Sequence, residues 1–137
     1  MRTIEQLQKI AIETIENQNY SSEPKSLYEP IEYAMSQGGK RIRPLLTLMA
    51  SDLFSGDIEK AKPSAIAIEI LHNFTLLHDD IMDESPIRRG MPTVYKKYNE
   101  NKAILSGDTM FAQAFLFLIK SEANHIPALV ETLTRAS

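Results

Sequence analysis

The chain of 137 residues contains no cysteine and no tryptophan. Without thiols there is no disulfide framework, no thiolate zinc site and no cysteine nucleophile, which agrees with a reducing compartment. Any metal site must therefore use oxygen or nitrogen ligands. No apolar run approaches the roughly 18 residues of a membrane span. The N-terminus, Met1-Arg2-Thr3-Ile4-Glu5-Gln6, has acids and amides where a secretory signal would be apolar. The chain is accordingly read as cytoplasmic and not as a membrane protein. Excess basic charge is lacking too: 15 Lys and Arg face 18 Asp and Glu, for a net charge of −3. A nucleic-acid partner, which usually shows as a basic face, is not expected.

Strand alternation, internal repeats, low-complexity tracts and linkers are also missing. What is present is helical periodicity over a composition that is 43% hydrophobic, enough to build a folded core. Ile4, Leu7, Ala11 and Ile15 place one apolar face on residues 1–18. A second helix runs from Pro24 to about Gln37 and stops at Gly38-Gly39. Pro44 opens a third, Leu45 to about Phe54, broken by Ser55-Gly56-Asp57. Pro63 opens the fourth, Ser64 to about Glu84, whose apolar residues point in nearly every direction and so predict a buried helix. Ser85-Pro86 closes it. A short helix over 93–98, a long apolar one over 103–120 and a last one over 125–135 complete an all-α chain.

Asp occurs only six times, yet three of the six fall within Asp79-Asp80-Ile81-Met82-Asp83. The pattern D-D-x-x-D arises by chance in about 1% of chains with this Asp content. On a helix Asp79 and Asp83 share a face, one turn apart, with Asp80 rotated by about 100° from Asp79. At the end of a buried helix such carboxylates need a counter-charge. A hard divalent cation supplies it, and Mg²⁺ leaves coordination positions for water and phosphate oxygens. The alternative is a solvated helix end with ordinary aspartates, Glu84 being solvent-facing or a supporting neighbour.

Two basic loops flank this helix, Gly38-Gly39-Lys40-Arg41-Ile42-Arg43-Pro44 and Arg88-Arg89-Gly90. Either loop alone reads equally as solvated surface. Together with an Asp-rich helix they suggest two diphosphates, one held by a bridging metal and one by Lys and Arg directly. His72, two turns before Asp79, is a core histidine or a phosphate donor. His78 reads as structural and His125 as a surface residue. Asp108, in an apolar helix, is expected to be buried and to need a partner.

Gly-Gly-Lys-Arg-Ile-Arg-Pro (38–44), His72 with Leu77-His78-Asp79-Asp80-Ile81-Met82-Asp83, Arg88-Arg89-Gly90-Met91-Pro92-Thr93 and Ala103-Ile104-Leu105-Ser106-Gly107-Asp108 occur in this order. In this the chain resembles the trans-isoprenyl diphosphate synthases, the polyprenyl synthetase family, over essentially its whole length. The resemblance implies antiparallel helices around a central cavity, a homodimer, and Mg²⁺-dependent prenyl transfer between an allylic diphosphate and isopentenyl diphosphate through a carbocation. It makes Asp79 and Asp83 the main metal ligands and Asp80 a supporting one. Arg88 would contact the allylic diphosphate, while Lys40, Arg43, His72 and Arg89 would hold isopentenyl diphosphate.

Phe74, five residues before Asp79, would limit product length, with the smaller Thr75 leaving room beside it. An aromatic at this fifth position with no insertion inside the Asp motif resembles the archaeal type of geranylgeranyl diphosphate synthase, so a short product such as geranylgeranyl or farnesyl diphosphate is expected. The family's second Asp-rich motif is not among these residues. Residues 1–137 are therefore expected to be the N-terminal half of one synthase domain, an incomplete bundle without activity by itself. The alternative is a half-length binding or regulatory subunit whose partner supplies that motif.

Overall fold

The computed structural model describes residues 2–54 and 56–137. Met1, and Ser55 at the expected break after the third helix, lie outside the described residues. The elements are α1 (Ile4–Glu16), α2 (Lys25–Ser36), α3 (Ile42–Leu53), α4 (Ile58–Met82), β1 (Ile87–Arg88), β2 (Met91–Pro92), α5 (Val94–Lys97), α6 (Glu100–Leu118) and α7 (Ile126–Ala136). No helix among the described residues is long and apolar enough to cross a membrane.

The chain forms two compact units. The first joins residues 1–18, 40–69 and 113–137. Helix α1 starts with a capping box: Gln6 N–H donates to Thr3 Oγ1 at 3.2 Å and Thr3 N–H to Gln6 Oε1 at 2.9 Å. Its apolar face then packs on α3, with Leu7, Ala11, Leu48, Ile58 and Ala65 forming one buried cluster. Leu48 is fully enclosed, and Leu48→Ala should cost about 2–5 kcal/mol.

Also in this unit, Arg41 Nη1 donates to Glu69 Oε1 at 2.6 Å, their side chains 2% and 4% exposed. One basic residue of the 38–44 loop is thus committed to the interior, and Lys40 and Arg43 remain exposed. Removing one partner of a sealed pair strands a buried charge.

The second unit comprises residues 19–39 and 70–112. Ile31, Met35, Ile70, Leu77, Val94 and Met110 are buried there. Side chains on the helices bond to backbone carbonyls of neighbouring elements: Tyr33 Oη–H on α2 donates to Pro92 O on β2 at 2.7 Å and Ser106 Oγ–H on α6 to Leu27 O on α2 at 2.7 Å. Lys97 lies 3.8 Å over the Tyr33 ring, adding a cation–π contact on α5.

Four expectations need correction. Helix α4 begins at Ile58, not Ser64, because Asp57 caps it: Oδ1 accepts from Glu59 N–H at 2.9 Å and the backbone carbonyl from Lys60 N–H at 3.1 Å. Pro63, in the second turn, costs one ladder bond without stopping the helix. Helix α3 similarly begins at Ile42, with Pro44 inside the first turn, where no N–H is required. The 87–92 stretch is an antiparallel hairpin rather than plain loop, its turn residues Arg89 and Gly90 both at positive φ, 53° and 77°, as in a type I′ turn. Lastly, Asp108 is not buried, because the inner face of α6 is made by Ala103, Ser106, Gly107 and Met110. Its side chain is 64% exposed and lies 3.9 Å from His78 Nε2.

Candidate functional site

The C-terminal end of α4, in the second unit, carries the three aspartates. Asp83 N–H still donates to Asp79 O at 2.8 Å, so the helical spacing holds through the cluster and both side chains are exposed. Beyond it the chain turns sharply. Glu84 N–H donates to Ile81 O at 3.1 Å and Ser85 N–H to Asp80 O at 2.9 Å, with Glu84 at φ 52°. That is the Schellman pattern, with Glu84 in the left-handed position that usually belongs to glycine. The turn sends the chain into β1 and brings Arg88 back to the helix it has just left.

Asp80 is the inward member, 3% exposed. Arg88 donates from Nε to both of its carboxylate oxygens at 3.0 Å and from Nη2 to Oδ1 at 2.7 Å. Such edge-on fork geometry is the strong form of an ion pair. The Asp80 bond, outweighing partial burial, raises the Arg88 pKa above the usual arginine value, and the charges of Asp79 and Asp83 add to it. The counter-charge that the sequence called for is thus supplied to Asp80 from within the chain. Asp79 and Asp83 take part in no ion pair among the described residues.

No group of three or more acidic or histidine side chains among the described residues is gathered to hold a metal ion. Two exposed carboxylates one turn apart are nevertheless the hard oxygen donors that Mg²⁺ takes from protein, with the rest of its shell left to water and ligand phosphate. The donor set fits such an ion at Asp79 and Asp83, and fits less well at Asp80, whose oxygens are engaged by Arg88.

Arg89 sits in the hairpin turn and reaches the end of α2, where its Nη1 donates to Gly38 O. Gly39 holds φ 129°, which disfavours any other residue, and a Cβ there would fall 2.9 Å from the Arg89 Cζ and displace the guanidinium from the backbone. The structure therefore brings Asp79, Asp80, Asp83, Arg88, Arg89 and the Gly38-Gly39 stop into one unit. Lys40 and Arg43 belong to the other unit, where both are exposed.

His72 and Thr75 are half-buried on α4, and Thr75 Oγ1 donates to His72 O at 2.8 Å. Phe74 is half-buried, with ring centroids 4.9 Å from His78 and 5.4 Å from Phe111, both edge-to-face. His125 is a surface residue, paired at 3.7 Å with Glu122. The sequence reading missed the Arg41–Glu69 pair. Its signal was a lone Glu inside the apolar run of α4.

The comparisons agree with the motifs. The polyprenyl synthetase family model matches residues 24–137. A geranylgeranyl diphosphate synthase from Methanosarcina mazei is 44% identical over 106 residues, 77% of this chain and 33% of that protein. One from Saccharolobus solfataricus is 54% identical over 91 residues, 66% of this chain and 27% of its own. Among solved structures, a geranylgeranyl pyrophosphate synthase superposes with a TM-score of 0.92 at 40% identity, over 98% of this chain and 41% of that one. The geranylgeranyl pyrophosphate synthetase of Geoglobus acetivorans gives 0.82 at 41%, over 96% and 42%. The chain thus spans about a third of the length of the curated relatives it matches. Through the run of motifs from Gly38 to Asp108, in a fold these structures share, the chain belongs to the polyprenyl synthetase family.

Proposed function

We propose that the chain is part of a prenyltransferase that condenses isopentenyl diphosphate with an allylic diphosphate into a short product such as geranylgeranyl or farnesyl diphosphate, and that it contributes residues for both diphosphates. The observation that carries this is the end of α4, where two exposed carboxylates stand beside an arginine that a third, buried carboxylate orients.

In this reading Asp79 and Asp83 hold Mg²⁺, which when bound neutralises charge on a departing diphosphate. Asp80 acts through Arg88: it engages the fork by Nε and Nη2 and presents Nη1 toward the allylic diphosphate. Lys40, Arg43, His72 and Arg89 hold isopentenyl diphosphate, Arg89 from a turn that the Gly38 carbonyl fixes. The allylic C–O bond ionises, the isopentenyl double bond attacks the carbocation, and a proton leaves. Half-buried rings and aliphatic side chains below the aspartates keep water from that cation. Phe74 limits the product, and Thr75, its hydroxyl already engaged by His72 O, adds no polar group to the space beside it.

The protein acts in the cytoplasm as a homodimer. Leu116 in the last turn of α6 and Ile119 just beyond it, 58% and 51% exposed, supply apolar surface for association.

The test supplies the complete gene product with Mg²⁺, isopentenyl diphosphate and each allylic diphosphate in turn. Chain elongation ending at a short product is expected, and no elongation with any of them defeats the reading. Residues 1–137 alone are expected to bind diphosphate without turnover, since the second Asp-rich motif is not among them. Phe74→Ala is expected to lengthen the products; an unchanged distribution would remove Phe74 as the limiting ring.

A further inference from the structure

The Ser106-Gly107-Asp108 stretch of α6 has so far no part in the chemistry, yet it is built around one side chain. The His78 imidazole lies against the backbone of Gly107, where an added Cβ would come 2.4 Å from Nε2 and 2.8 Å from Cδ2. Nothing larger than glycine fits beneath the ring while the imidazole keeps this place. The same Nε2 is 3.2 Å from Ile104 O, an oxygen that can only accept, and 3.9 Å from Asp108 Oδ1. Both oxygens favour the tautomer with hydrogen on Nε2, so the ring is held by its far nitrogen. Ser106 Oγ–H donates to Leu27 O at 2.7 Å, which ties this turn of α6 to α2 and keeps the seat from yielding.

The other side of the imidazole meets Phe74. Their planes stand at 70° with centroids 4.9 Å apart, and Phe111 closes on Phe74 at 61° and 5.4 Å. Phe74 therefore stands between two rings, of which Phe111 is carried by α6 and His78 is pinned to it. Aromatic edge contacts of this kind add specific orientation beyond buried area.

We propose that His78 is a positioning residue that sets product length through Phe74, with Ser106-Gly107-Asp108 as its seat. This rests on the prenyltransferase reading and gives that reading a second layer: the limiting ring is braced from α6 rather than standing on α4 alone. Release of the brace lets Phe74 tilt, and the space under Asp79 deepens.

The experiment measures product chain lengths, kcat and KM for the complete gene product and for His78→Ala, Gly107→Ala, the double variant and His78→Gln. Each alanine variant is expected to raise the share of longer products by about threefold, the scale of coupling between touching residues. KM for isopentenyl diphosphate is expected to stay within about twofold, because ground-state binding of that substrate is not involved. Gly107 acts only by admitting the imidazole, so the double variant is expected to match His78→Ala. His78→Gln, whose amide N–H can still reach the Ile104 carbonyl but which presents no ring to Phe74, is expected to give a smaller shift than His78→Ala; a shift as large as that of His78→Ala would mean that the Ile104 bond plays no part. An unchanged product distribution in both single variants, even with a lowered Tm, would overturn the proposal, as would shifts that add in the double variant. If the unsubstituted protein shows no prenyl transfer, the parent reading fails instead, and this one with it.

Discussion

Helix α4 supplies the carboxylate of two arginine–carboxylate pairs, one in each unit, and they differ in the exposure of the arginine. Arg41 and Glu69 are sealed, 2% and 4% exposed. Asp80 is equally buried at 4%, but its partner Arg88 is 30% exposed and lies in the field of two further aspartates. Desolvating both charges makes a pair a structural device whose disruption is costly and which no ligand can reach. Leaving the guanidinium at the surface makes the same contact a means of aiming it.

The largest effect should come from the sealed pair. Arg41→Ala or Glu69→Ala is expected to lower unfolding free energy by about 3–5 kcal/mol. The double replacement Arg41→Met with Glu69→Leu is expected to recover most of it, as read by urea denaturation. If the single changes proved mild, the two pairs would not differ as described.

Asp79→Ala should invert that pattern. Mg²⁺-dependent turnover of the complete gene product is expected to fall by about 10²–10³-fold, as when a group stabilising charge in the transition state is removed, with Tm nearly unchanged. Normal rates would defeat the metal assignment.

Asp80→Asn falls between the two. It leaves Arg88 without its ionic partner, and a cost of about 1–3 kcal/mol is expected in stability, together with weaker inorganic diphosphate binding by titration calorimetry. Stability loss with full diphosphate affinity would make this pair a second sealed one in all but exposure.

Smallest is Glu84→Gly, which relieves a left-handed residue at the helix end. It should stabilise by up to about 1 kcal/mol in the same urea experiment.

Much of this was legible in the sequence. Helix stops at Gly38-Gly39 and Ser85-Pro86, the one-turn spacing of Asp79 and Asp83, and the buried middle of α4 follow from local rules. The hidden parts depend on distant partners. Nothing in Lys40-Arg41-Ile42-Arg43 says which cation goes inward, because that is decided by Glu69, 28 residues on. Arg88 choosing Asp80 needed the hairpin, whose two-residue strands are too short to show alternation. The exposure of Asp108 is hidden in the sequence because apolar content does not equal burial: Ile104 and Leu105, on the same outer face of α6, are themselves exposed, at 37% and 57%.

The guanidinium of Arg89 resting on Gly39 has a consequence for anyone altering this protein. A side chain at position 39 would evict the arginine from its place, so a change in one loop would be read in every assay as damage to the other. The dependence runs one way: a side chain at position 39 would both strain a backbone at φ 129° and displace the guanidinium, so a lineage can vary Arg89 only while it keeps Gly39.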